Sequence, residues 1–100
     1  MAYNYPFKTT DEKTKLAVWA KGTPIPNQGG TRFDPKMFRF DICGIPIKYD
    51  DHGDVNSKYG WEIDHKIPSS KGGQDTLDNL QPLQWKSNRD KGDIYPWQCP

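Results

Sequence analysis

The sequence predicts a small α+β domain with an N-terminal helix, a strand region and long loops. Only a third of its 100 residues are apolar, and nine glycines and nine prolines are spread among them, so long loops must connect short elements. Four tryptophans, five tyrosines and four phenylalanines compensate, because aromatic side chains bury large areas. We expect one domain over residues 1–100, with a core built on aromatic side chains. A domain of this length is close to the lower size limit at which burial of apolar surface alone stabilises a fold.

A helix is predicted near the N-terminus. Thr9 and Glu12 have the spacing of a capping box, and residues 13–20 are mostly good helix formers. Gly22 and Pro24 end it. Three side chains fall on one face, which we expect to pack: Leu16, Trp19 and Ala20.

The following residues, 22–36, read as a loop, since prolines and glycines break any regular period. This loop is either a flap over a substrate or a plain connection. It completes an extension over 1–36, which precedes a core over 37–93 and a tail over 94–100. The tail should pack against the core through three large side chains: Ile94, Tyr95 and Trp97.

The central strand region is predicted as a hairpin. Residues 37–49 alternate enough to form one strand, or two strands broken at Gly44 and Pro46. A turn rich in acids follows at 50–54, and 61–67 form the returning strand. The acids and the histidine of that turn lack the full pattern of a calcium loop, so we assign no metal site there.

If residues 84–91 are taken as a short helix, their side chains fall on separate faces. On such a helix, Trp85 can enter the core while a polar face turns elsewhere. The polar face carries Gln84, Asn88 and Lys91, and Arg89 lies beside it.

The strongest pattern lies in 61–93. In chain order it consists of Asp64-His65, Pro68, Gly72-Gly73, Asn79-Leu80, Asn88 and Lys91. This order resembles the HNH nuclease family, in which Asp-His ends a strand, a Gly-rich loop and Asn-Leu follow, and a His or Asn lies on a closing helix. The resemblance implies a ββα-metal core over 37–93. It also implies a metal-dependent endonuclease that hydrolyses DNA phosphodiester bonds, by nicking or by double-strand cleavage.

The resemblance also assigns roles. His65 would be the general base, because neutral imidazole titrates near the working pH. Asp64 and Asn88 would offer oxygen ligands to one divalent metal ion, with Mg²⁺ expected and Mn²⁺ or Ni²⁺ able to substitute. Asn79 would belong to the catalytic residues by ordering the long connection and helping to hold the histidine, although a simple turn residue is the other interpretation. Arg89 or Lys91 would contact a phosphate of the nucleic acid.

One geometric objection concerns Asp64 and His65. Consecutive side chains of an ideal strand point to opposite faces, so these two could not converge on one phosphate. A strand that ends or bulges near 64–66 would remove the objection.

Many relatives in this family hold a structural zinc with two Cys-x-x-Cys pairs. The first pair reads Cys43-x-x-Pro46 here, and Gln84 and Ser87 stand at the second. Since three of four thiolates are missing, we expect no structural zinc and assign its stabilising role to the aromatic residues.

The sequence carries no apolar run of about twenty residues and no pattern of a signal peptide at its start, so we expect a cytoplasmic protein without membrane contact. Cys43 and Cys99 should then stay reduced. A disulfide between them requires the C-terminal tail to fold back.

DNA is the expected partner, but the net charge of +1 predicts only weak, salt-sensitive binding. The chain would therefore act as a homodimer or beside a larger DNA-binding partner. Two alternatives stay open: a catalytically inactive nucleic-acid-binding module on the same fold, and a small structural or interaction domain in which the motif is a coincidence.

Overall fold

A computed structural model describes residues 12–100, which form two helices and two small antiparallel sheets, the α+β class that the sequence predicts. Three short 3-10 turns join the longer elements. The helices are α1 (Glu12–Trp19) and α2 (Trp85–Lys91), and the strands are β1 (Thr23–Pro24), β2 (Phe38–Phe40), β3 (Pro46–Lys48), β4 (Trp61–His65) and β5 (Leu80–Gln84). No described helix has the length and apolar content that crossing a membrane requires.

The N-terminal helix forms as predicted from Glu12 onward, whereas Thr9 of the expected capping box lies outside the described residues. The predicted packing face is only partly right. Trp19 is buried together with its neighbour Val18, but Leu16 is 50% exposed. The helix has only two turns, and it packs against β5. Its buried residues, Val18 and Trp19, are therefore those that reach the core, and the spacing of apolar residues along the helix does not identify them.

The end of α1 explains the glycine at position 22. The Gly22 amide donates to the carbonyl of Trp19 and closes the helix. A Cβ at this position would lie 2.7 Å from the carbonyl oxygen of Phe40, so the chain crosses β2 too closely for any side chain. β1 then pairs with β2, with Thr23 opposite Phe40.

The predicted break in the 37–49 segment is real. β2 and β3 pair antiparallel, with Phe38 opposite Lys48, and the turn between them passes through Gly44 at a φ of 80°. The carboxylate of Asp41 holds this turn, since it accepts hydrogen bonds from the amides of Cys43 and Ile45 at 2.8 and 2.9 Å.

The predicted pairing of this segment with 61–67 is wrong. β4 instead pairs antiparallel with β5, in a register that runs from Trp61 opposite Gln84 to His65 opposite Leu80. Alternation predicts that a segment is a strand but not which partner it takes. β5 escaped prediction because Pro82 lies at its centre, where a proline is tolerated only in an edge strand.

The core forms where α1, β3, β4 and β5 meet. It is centred on two rings, because the centroids of Trp19 and Trp61 lie 5.3 Å apart and Tyr49 packs against both. The prediction of a core built on aromatic side chains is confirmed for the centre of this cluster, whereas its other buried side chains are aliphatic. The buried apolar residues of this cluster are Val18, Trp19, Ile47, Trp61, Ile63 and Leu80.

The prediction of reduced cysteines is wrong. Cys43 and Cys99 form a disulfide across 56 residues of sequence, with their Cα atoms 5.5 Å apart. The tail thus folds back onto the β2–β3 turn, although two of its apolar side chains, Ile94 and Tyr95, stay exposed rather than packed. A covalent bond rather than apolar burial holds its end.

Candidate active site

The site begins with the two faces of β4. Ile63 belongs to the core, whereas Glu62 and Asp64 point to the other side and reach α2. His65 is the last residue of the strand and lies opposite Leu80 in regular register, so the strand ends there without a bulge. Asp64 and His65 accordingly contact different partners.

Asp64 is a buried carboxylate between β5 and α2. Its Oδ2 accepts a hydrogen bond from Gln81 Nε2 at 2.9 Å, and its Oδ1 lies 3.3 Å from Lys91 Nζ. Burial raises the pKa of Asp64, while the contacts with Gln81 and Lys91 oppose that rise. The two neighbours therefore favour the charged carboxylate that a cation would need.

Lys91 does not lie at the surface, where a phosphate contact was expected. Only 2% of it is exposed. Its ammonium donates to the carbonyl oxygen of His65 at 2.8 Å and so ties α2 to the end of β4. Its positive charge lies against Asp64 instead of facing solvent.

Asn88 lies on the same side of α2 and is held by Glu62. Asn88 Nδ2 donates to Glu62 Oε1 at 2.8 Å, and the guanidinium of Arg89 binds both oxygens of the same carboxylate at 2.6 and 3.0 Å. The side chain of Arg89 is 41% exposed, so it extends from this buried pair toward solvent. Sequence reasoning did not assign a role to Glu62, because a glutamate in a strand carries no signal of its partners.

His65 has one carboxylate partner. Its Nε2 lies 2.6 Å from Asp75 Oδ1, and only 8% of the His65 side chain is exposed, against 54% for Asp75. Asp75 was missed by the sequence analysis, because it lies in a loop ten residues further on and no period connects the two.

Asn79 orders that loop. Its carboxamide accepts from the amide of Ile67 at 3.0 Å and donates to the carbonyls of Ile67 and Gln74 at 3.1 and 2.9 Å. The loop must pass so close that a Cβ at Gly73 would lie 1.6 Å from the Ile67 carbonyl oxygen. Gly72 has a φ of 89°, which favours glycine. The Gly-Gly and Asn-Leu parts of the motif therefore shape one connection.

The site offers oxygen ligands, the type of ligand that a hard cation prefers. Asp64 offers carboxylate oxygens, and because Glu62 holds Asn88 Nδ2, the Oδ1 of Asn88 is left without a hydrogen-bond donor from any described residue. Mg²⁺ commonly takes one or two protein oxygens and fills its other positions with water and phosphate. Within residues 12–100 no three His, Cys, Asp or Glu side chains cluster closely enough to hold a metal by themselves. Such an ion would thus depend on water and substrate oxygens.

Two residues that stand where the resemblance would place zinc ligands, Cys43 and Gln84, have other partners. Cys43 is in the disulfide, and Gln84 caps α2 by accepting from the amides of Lys86 and Ser87. The second carboxylate oxygen of Asp41 accepts from the amide of Gln84 at 2.8 Å. Asp41 thereby joins the β2–β3 turn to the start of α2.

Two antiparallel strands followed by a helix, with an acid, an imidazole and a carboxamide along them, define a small ββα domain with a polar site. A model of the HNH endonuclease family matches residues 41–93, more than half of the chain. The chain belongs to the HNH endonuclease family. No curated protein and no solved structure is significantly similar to it.

Proposed function

We propose that this protein is a metal-dependent endonuclease that hydrolyses phosphodiester bonds in DNA. The observation that carries the proposal is the meeting of β4 and α2, which brings Asp64 and Asn88 to one side of the strand that ends in His65. Membership of the HNH family supports a nuclease function.

In the proposed reaction, His65 is the general base. Its imidazole takes a proton from a water molecule, whose oxygen bonds to the phosphorus while the bond from phosphorus to the leaving sugar oxygen breaks. The leaving oxygen takes a proton from solvent. Asp64 and Asn88 would hold one divalent ion, Mg²⁺ by preference, which supplies positive charge to the phosphate oxygens when bound.

The remaining site residues position these groups. Glu62 turns the amide nitrogen of Asn88 toward itself and so leaves the amide oxygen for a cation. Asn79 fixes the loop that follows His65. Lys91 balances the charge of Asp64 and holds the backbone of His65, which leaves the half-exposed Arg89 as the better phosphate contact of the two.

DNA is the proposed partner. The net charge of +1 gives little general attraction to phosphates, so we propose that a second copy of the chain or a larger DNA-binding protein contributes affinity.

A second candidate is a DNA-binding module on the same fold without catalysis. It is favoured by the burial of the site, since little of the His65 side chain is exposed and the Lys91 ammonium already lies against Asp64. This candidate predicts binding without cleavage.

Cleavage of supercoiled plasmid tests the two candidates. The wild-type protein is incubated with Mg²⁺, Mn²⁺, Ni²⁺, Zn²⁺ or EDTA, beside Asn88→Ala and the control Asn56→Ala, an exposed asparagine of a turn. The proposal predicts nicking or linearisation with Mg²⁺ and Mn²⁺, none in EDTA, and a loss in Asn88→Ala alone. DNA binding without cleavage under every ion would favour the second candidate.

A further inference from the structure

The loop after β4 carries a carboxylate, Asp75, to which the sequence analysis assigned no role. Asp75 is the only side chain among residues 12–100 that is hydrogen-bonded to the ring of His65, with 2.6 Å between Asp75 Oδ1 and His65 Nε2. We infer that Asp75 is a positioning residue, which holds the proton of His65 on Nε2 and leaves Nδ1 as the proton acceptor. The inference rests on the proposed nuclease function.

The chemistry of the Asp75–His65 pair decides which ring nitrogen carries the proton. A neutral imidazole has one N–H and one nitrogen lone pair, and either nitrogen can carry the proton. An ionised carboxylate only accepts hydrogen bonds, so the nitrogen that faces Asp75 must be the donor. The opposite nitrogen then keeps its lone pair, which is the form that a general base needs. Catalytic histidines of other folds are oriented by a carboxylate in the same way.

The geometry of the loop supports a positioning role, since the loop is built to keep Asp75 in place. Asn79 binds the carbonyl of Gln74, the residue before Asp75, and also binds both backbone groups of Ile67, two residues after His65. Gly73 passes against the Ile67 carbonyl with no room for a side chain. One carboxamide thus fixes the start and the end of the connection between the two partners.

Burial separates this pair from an ordinary surface contact. The His65 side chain is 8% exposed, so its ring has little room to flip and exchange the nitrogen that faces Asp75. Asp75 lies at the surface side of the pair with 54% of its side chain exposed. Replacing Asp75 should therefore change the tautomer of His65 without disturbing the core.

The test reads the ring of His65 directly. The chain has two histidines, so the nitrogen-15 spectrum of the imidazole rings contains two ring systems, and His65→Ala assigns them. Tag-free wild type, Asp75→Asn, Asp75→Glu and the control Asp78→Asn are recorded at alkaline pH. Asp78 is an exposed carboxylate of the same loop.

We expect the proton of His65 on Nε2 in the wild type and in Asp78→Asn. In Asp75→Asn the two tautomers should mix, because a carboxamide can donate as well as accept. In plasmid cleavage, kcat should fall about 10²-fold or more in Asp75→Asn, with KM and the half-saturating Mg²⁺ concentration unchanged, and Asp75→Glu should recover part of the loss.

A wild-type proton on Nδ1, or an Asp75→Asn spectrum that matches the wild type, would overturn the inference. So would an unchanged kcat in Asp75→Asn. If the wild type cleaves no DNA under any ion, the proposed function fails, and the ring spectra still decide whether Asp75 fixes the tautomer of His65.

Discussion

Glu62 shows how much of the site depends on single buried side chains. Its carboxylate receives one hydrogen bond from Asn88 and two from Arg89, all within 3.0 Å. Hydrogen bonds between charged groups are about twice as strong as neutral ones, so this contact defines the orientation of the Asn88 amide. The orientation of the proposed metal ligand Asn88, on α2, is thus fixed by a carboxylate of β4.

Replacing this carboxylate should weaken metal binding. In Glu62→Gln the new amide can turn its own nitrogen toward Asn88, so the Asn88 oxygen no longer faces a cation reliably. We expect the half-saturating Mg²⁺ concentration for plasmid cleavage to rise about 10- to 100-fold. An unchanged metal titration, with Asp93→Asn as a surface control, would show that Glu62 does not orient a ligand.

Candidate site residues could be selected from the sequence where the motif names them. Asp64, His65, Asn79 and Asn88 could be selected from their order and spacing. Their partners Glu62, Gln81 and Asp75 could not, because those contacts depend on the register of β4 with β5 and on the path of the loop.

Asp41 connects the β2–β3 turn with α2. Its two oxygens accept hydrogen bonds from three backbone amides, those of Cys43, Ile45 and Gln84, and it is 2% exposed. One buried carboxylate thus joins the three-stranded sheet to the start of the helix that carries Asn88.

Removing this carboxylate should destabilise the fold. In Asp41→Ala three amides lose their acceptor in a buried place, and we expect the free energy of unfolding to fall by about 3 kcal/mol. Asp41→Asn keeps one accepting oxygen and should lose less. Urea unfolding measures both, with Asp93→Ala as an exposed control, and equal stability of all four proteins would contradict this role.

The turn before β4 should make stability depend on pH. His52 lies against Trp61, with 4.7 Å between ring centroids, and burial lowers its pKa to about 4, with Lys15 adding to the effect and Glu12 opposing it. The ordinary value is about 6.5. Between about pH 6.5 and 4 the unfolded chain therefore binds a proton that the folded chain does not.

The free energy of unfolding should thus fall between about pH 6.5 and 4, by at most about 3 kcal/mol, and this contribution should level off below pH 4. His52→Gln should lack this part of the pH dependence. The check is urea unfolding of both proteins across that range. Parallel curves for the two proteins would mean that His52 titrates normally.

Helices and strands could be predicted where the pattern of neighbouring residues is enough to identify them. Capping-box spacing and helix-forming residues predicted α1, alternation predicted β2 and β3, and β4 was predicted as the strand that returns after the 50–54 turn, whereas the helix at α2 was taken from the family pattern. The partner of β4 was not predictable, since β5 contains Pro82 and follows the long loop. Pairing is decided by the core, where Trp61, Ile63 and Leu80 are buried together.

The disulfide closes a long segment of chain. It joins the tail to the β2–β3 turn across 56 residues and thereby encloses the entire ββα unit. The sequence could not predict it, because two cysteines so far apart reveal nothing about the path of the tail.

Opening this bond should cost stability. A cross-link over a loop of this length stabilises by about 4 kcal/mol in the chain-entropy account. Denaturant unfolding with and without a reducing agent should show a loss of that order in the wild type. The variant with Cys43→Ser and Cys99→Ser should have the stability of the reduced wild type, with and without the reducing agent. If reduction leaves the free energy of unfolding of the wild type unchanged, the expected effect is contradicted.

We propose His65 as the base of a metal-dependent nuclease. The most direct test is cleavage of supercoiled plasmid in Mg²⁺ by wild type, His65→Ala and His52→Gln, with folding and metal binding measured for each. We predict that His65→Ala loses about 10²- to 10⁴-fold in rate while it keeps its fold and metal binding, and that His52→Gln stays active. Cleavage by His65→Ala within a few fold of the wild type would contradict the claim.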